Sequence, residues 1–94
     1  MTMREKVAQR REEILRLADK FGATNVRIFG SVAKGEERPD SDIDFLVEFH
    51  RSLLKLVAFE RELKNLLECD VDVVTDGGLS PYLKDEILSS AKPL

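Results

Sequence analysis

Two carboxylates at the head of an alternating apolar run constrain this chain's architecture more than any other feature. The run reads Asp42-Ile43-Asp44-Phe45-Leu46-Val47-Glu48-Phe49. Ten residues before it lies the pair Gly30-Ser31, which closes an apolar segment containing Val26, Ile28 and Phe29. Ile43, Phe45 and Val47 alternate with Asp42, Asp44 and Leu46, the period of a half-buried strand. Alternate strand residues share a face and lie about 6.5–7 Å apart, so Asp42 and Asp44 converge on one patch. Carboxylate oxygens of this kind suit Mg²⁺, which keeps room for water and phosphate. A third acid, Asp72, interrupts the β-branched run Val71-Asp72-Val73-Val74, where a charge is costly unless something pairs with it. Three such acids and a glycine-serine turn point to a metal-dependent nucleotide site.

The rest of the chain supplies a scaffold for that patch. A helix is predicted over residues 3–20, with Thr2 and Glu5 as a capping box and Gly22 as the stop. Its apolar face is Val7, Ile14, Leu17, Ala18 and Phe21. A strand follows over 25–29, then a loop over 30–41 with at most one helical turn at 31–34. The second strand spans 42–49. A second helix over 52–68 is expected to bury Leu53, Leu56, Val57, Leu63 and Leu67. The third strand covers 70–75, and Asp76-Gly77-Gly78 is a turn. Ser80 as N-cap and Pro81 at the first helical position open a last helix that runs to about residue 90. The helical crossover makes the second and third strands parallel. The first and second run antiparallel if Gly30-Ser31 and the Asp pair share a site. The predicted fold class is therefore α/β, a small mixed sheet flanked by helices.

Ninety-four residues with 43% apolar and 35% charged content fit one soluble globular domain over 1–94. A net charge of −3 lacks the basic footprint of a protein that binds polymeric nucleic acid. No apolar run approaches the ~20 residues that span a membrane, and the charged N-terminus lacks the apolar centre of a signal peptide. Cys69 is the single cysteine and has no internal disulfide partner, which fits a reducing cytoplasm; it reads as a small buried hydrophobe. His50 reads as a surface residue. Tyr82, Leu83, Ile87 and Leu88 of the last helix exceed what so small a sheet can cover, which leaves surface for a partner.

Gly30-Ser31, the ten-residue spacing, Asp42-Ile43-Asp44 and the later Asp72 resemble the signature of the DNA polymerase β-like nucleotidyltransferase superfamily. Gly30-Ser31-Val32-Ala33-Lys34-Gly35, Ser41 to Val47 and Val71 to Thr75 are similar to its minimal nucleotidyltransferases, the MntA-type antitoxins paired with HEPN-domain toxins. The resemblance spans roughly residues 26–88. It implies a polymerase β palm-like fold and an enzyme that moves AMP from ATP to a tyrosine hydroxyl of the toxin. Asp42 and Asp44 then bridge a two-metal Mg²⁺ site. Asp72, rather than Asp70, completes it as ligand of the second ion and general base. Gly30, Ser31 and Lys34 face the triphosphate, with Arg38 a surface charge. So small a chain has little room for an acceptor pocket, so the acceptor comes on another protein, in a homo- or hetero-oligomer. The alternative is a non-catalytic antitoxin that neutralises its toxin by binding and occlusion.

Overall fold

The computed structural model describes residues 3–30, 33, 35, 42–78 and 81–94, with the backbone alone over 81–84. The chain runs α1 (Met3–Gln9), α2 (Arg11–Phe21), β1 (Thr24–Phe29), β2 (Ile43–Glu48), α3 (Leu53–Leu67), β3 (Val71–Thr75), a 3-10 turn (Asp76–Gly78), α4 (Pro81–Ser90) and β4 (Lys92–Pro93). Four strands form one mixed sheet in the order β3-β2-β1-β4. β1 and β2 are antiparallel, β2 and β3 parallel, as the sequence pattern predicts. β4 was not anticipated: two residues pair antiparallel with Arg27 and Ile28. Its Pro93 lacks an N–H and sits where edge strands tolerate it.

The predicted first helix is two helices. Arg10 leaves helical geometry at φ −102°, ψ 13°, so α1 and α2 break apart where one apolar stripe suggested continuity. The stop is as expected: Gly22 adopts the left-handed conformation at φ 85°, and Ala23 N–H reaches back to the Ala18 carbonyl at 2.8 Å. A Cβ there costs energy that glycine avoids. Ser52 caps α3, its hydroxyl accepting from the Lys55 N–H at 3.4 Å. The proposed caps Thr2 and Ser80 lie outside the described residues.

Alternation sorts the sheet into two faces. Val26 and Ile28 of β1, Ile43, Phe45 and Val47 of β2, and Val71 of β3 join Val7, Ile14 and Ala18 from α1 and α2 and Phe59, Leu63 and Leu67 from α3 in one buried cluster. Phe21 stacks obliquely on Phe59 with centroids 6.0 Å apart. Each large side chain buried here contributes about 1.5–3 kcal/mol.

α3 corrects the predicted helix face. Leu63 and Leu67 are buried, and Leu56 partly so, but Leu53 and Val57 are 73% and 45% exposed, as is Leu54 at 82%. The buried stripe passes through Phe59 instead. The first turn and a half of α3 thus presents Leu53, Leu54 and Val57 to solvent. Cys69 is half-buried and packs against the core. His50 is exposed and lies 3.8 Å from Asp76. In the last helix Leu88 is 38% exposed and Ile87 half-buried; the Tyr82 and Leu83 side chains lie outside the description. No described helix is long and apolar enough to cross a membrane.

Candidate functional site

The face of β2 turned away from the buried cluster carries Asp42, Asp44, Leu46 and Glu48 by alternation. Leu46 is fully buried; Asp44, two residues earlier, is half-buried. In the parallel ladder Asp44 pairs in register with Asp72 of β3. In the antiparallel ladder it pairs with Phe29 of β1. Neighbouring strands lie about 4.8 Å apart, and residues in register share a face. The Asp44 and Asp72 carboxylates are therefore side by side, with Asp42 one step along the same face. Asp42 and Asp72 are exposed. This overturns the expectation that Asp72 pays a burial cost inside its strand, because β3 is an edge strand with that position open to solvent.

Asp44 carries the electrostatic load. Its pKa rises from an ordinary 3.8 to about 6, first because burial disfavours the charged form, then because Asp72 and Asp42 repel it. A bound cation would favour the charged form and offset the rise. No group of three or more His, Cys, Asp or Glu side chains that could hold a metal ion is assembled among the described residues. Mg²⁺ is commonly held by one or two carboxylates with water and phosphate oxygens, and the Asp44–Asp72 pair offers that donor set. The residues present fit Mg²⁺.

β1 brings the glycine to the same place. Gly30 has φ +74°, and a Cβ built on it would run into the Asp44 carboxylate oxygen Oδ2. The sequence reading assigned this glycine to phosphate approach. The structure adds a nearer reason: Asp44 occupies the space a side chain would need. Ser31 and Lys34, the other predicted nucleotide-binding residues, lie outside the described residues, as does Arg38. Ala33 is helical and buried; the rest of the turn predicted over 31–34 lies outside the described residues. One contact here had no sequence signal: the Arg4 guanidinium Nη2 of α1 donates to the Ala33 carbonyl at 3.0 Å.

A groove of about 460 Å³ between α2 and α3 is lined by Leu17, Leu66 and the charged Glu13, Arg16, Lys20 and Glu62, among others. Those helices pack on the other face of the sheet, so the groove is remote from the carboxylates.

Comparison with known proteins agrees with this geometry. A family model described as a nucleotidyltransferase domain matches residues 10–94. A relative from Methanocaldococcus jannaschii, named as a candidate protein adenylyltransferase, is 43% identical over 83 residues, 86% of this chain and 89% of its own length. The protein adenylyltransferase MntA of Thermococcus cleftensis is 38% identical over 74 residues, 77% of this chain and 75% of its own. A solved structure of a candidate minimal nucleotidyltransferase superposes with a TM-score of 0.89 at 45% identity, covering 100% of this chain and 97% of that one. The crystal structure of a toxin–antitoxin with AMP-PNP shares the fold, with a TM-score of 0.76 at 23% identity, 87% of this chain and 69% of that one.

Proposed function

The chain belongs to the nucleotidyltransferase domain family, and from that premise we propose that it transfers AMP from ATP to a tyrosine hydroxyl of a HEPN-domain toxin. The observation that carries this reading is the in-register Asp44–Asp72 pair. Burial first, then repulsion from Asp72 and Asp42, push the Asp44 pKa up to about 6, a cost that a bound cation would offset. Asp44 and Asp72 would hold Mg²⁺, with Asp42 one step along the same face. When bound, the ion supplies positive charge against the triphosphate and eases deprotonation of the acceptor.

The chain's own groups do the remainder. Gly30 keeps the loop backbone clear of Asp44, so the carboxylate stays aimed at the open face. Ser31, the Lys34 ammonium and the amides of the following turn bind phosphate oxygens. Asp72 accepts the tyrosine hydroxyl proton. The phenolate oxygen forms a bond to the α-phosphorus, and the bond from that phosphorus to the bridging oxygen breaks, releasing pyrophosphate. Most of the acceleration comes from positioning and charge neutralisation.

A toxin as partner is supported by a solved neighbour of this fold, the crystal structure of a toxin–antitoxin with AMP-PNP. Modification of the toxin's hydroxyl would silence it inside a cytoplasmic toxin–antitoxin pair. The test is to incubate the protein with ATP, Mg²⁺ and the toxin encoded beside it, then weigh the toxin intact. The expected result is a gain of one AMP that maps to a tyrosine and is abolished by chelator. Neutralisation of the toxin with no gain in mass would leave occlusion as the mechanism.

A further inference from the structure

We infer that Arg4 is a positioning residue for nucleotide transfer, fastening the loop that carries Gly30 to the first helix. Its guanidinium Nη2 donates to the Ala33 carbonyl at 3.0 Å, across 29 residues of sequence. The same group covers Gly35: a Cβ there would lie 3.2 Å from Nη2 and 3.8 Å from Cζ. Gly35, at φ +74°, is itself in the left-handed region, so this part of the loop has a backbone that few side chains would tolerate. Ala33 inserts its methyl into the main buried cluster. The loop is thus held twice after it leaves β1, by a methyl in the core and by a cation on the adjoining carbonyl. Three residues before Ala33, Gly30 abuts the Asp44 carboxylate, so the held segment borders the acidic site.

The helix break at Arg10 gives this contact its geometry. α1 is set off from α2, and Val7 is buried in the main cluster. Met3, one residue before Arg4, packs against the same cluster. α1 is therefore seated on the core with Arg4 over the loop. A guanidinium presents a rigid fork of donors, whereas an ammonium is a single point on a flexible stem.

This inference rests on the nucleotide site proposed above, because a held loop matters to catalysis only if the loop meets the phosphates. It predicts a split in kinetic constants. Arg4 contacts the loop backbone through the Ala33 carbonyl, so its loss should weaken nucleotide binding and spare the chemical step. Arg11 provides the control, since its guanidinium also donates to a distant backbone carbonyl, that of Leu94 at 3.1 Å, but away from the loop.

The experiment measures Mg²⁺–ATP dissociation constants by calorimetry, ATP KM and kcat for AMP transfer, and melting temperatures, for wild type, Arg4→Ala, Arg4→Lys and Arg11→Ala. Arg4→Ala should raise Kd and KM about tenfold, the scale of one charge-assisted hydrogen bond, with kcat within about threefold. Arg4→Lys should recover part of that loss, which keeps the test sound should the alanine variant fold poorly. Arg11→Ala should bind ATP as wild type does. Unchanged ATP affinity in Arg4→Ala, or an equal loss in Arg11→Ala, overturns the inference and leaves nucleotide transfer standing. Absence of ATP binding by the wild-type protein overturns both.

Discussion

The two faces of strand β2 differ by one residue of register and, at Asp44, by burial and charge. On one, Ile43, Phe45 and Val47 are fully buried against α1, α2 and α3. On the other, Asp44 is half-buried beside Asp72 with its pKa near 6. The first face stabilises the fold and the second strains it. The pleat lets one segment do both, because neighbouring side chains point in opposite directions. A small protein can thus carry an unfavourable charge cluster on the strand that anchors its core.

Adjacent substitutions break the comparison most sharply. Phe45→Ala should destabilise the protein by about 3–5 kcal/mol, the usual cost of emptying a buried aromatic site, read from chemical denaturation. Asp44→Asn should leave the fold intact and lower AMP transfer about 10²–10³-fold, the scale on which a single catalytic electrostatic group acts. Equal losses of stability from both variants would show that the two faces are not separate in role.

Gly30 tests how tightly the open face is built. Gly30→Ala should cost about 1–3 kcal/mol, since φ +74° is a strained setting for alanine and its methyl meets the Asp44 carboxylate. In an Asp44→Ala background the second part of that penalty should vanish, so a double-mutant cycle should show coupling between the two positions.

Proton titration sharpens the same point. Asp44 in the fold binds its proton more tightly than in the unfolded chain, with a pKa of about 6 against 3.8. Between those values the folded state holds the extra proton, so stability falls as pH rises through that window. Read directly, the shift would amount to about 3 kcal/mol; solvent screening at this half-exposed group reduces it to about 1 kcal/mol. Without metal, wild type should lose melting temperature relative to Asp44→Asn between about pH 4 and pH 6.5, and remain level above that. Mg²⁺ with ATP should restore the loss.

The smallest effect belongs to α3. Leu54, 82% exposed, should tolerate replacement by serine with a stability change within about 0.5 kcal/mol. A larger loss in denaturation would mean that the end of α3 is covered in the protein's working state.

These contrasts also show how far the sequence alone could be read. Asp42 and Asp44 were legible as a pair because alternation places them on one strand face, whereas Gly30 and the choice of Asp72 over Asp70 rested on the family resemblance. The parallel pairing followed from the helical crossover, and the antiparallel one from placing Gly30-Ser31 and the Asp pair at one site. Three features were not legible. The apolar pattern of α1 and α2 is continuous through a break at Arg10, since periodicity records which residues are apolar and not whether the backbone stays helical between them. Leu53 and Val57 fit an amphipathic stripe, yet both are exposed, and no local signal marks where along a helix the burial stops. Lys92–Pro93 escaped because two residues have no period at all.

The most direct test of the central claim is Asp72→Asn, assayed for AMP on the toxin, for the toxin–antitoxin complex, and for ATP binding in one preparation. Asparagine is isosteric, and position 72 is exposed, so folding should be unaffected. If Asp72 accepts the acceptor's proton beside Asp44, the variant should bind ATP and the toxin, place no AMP on it, and fail to neutralise it. Full neutralisation by Asp72→Asn, with an unmodified toxin, would contradict the account.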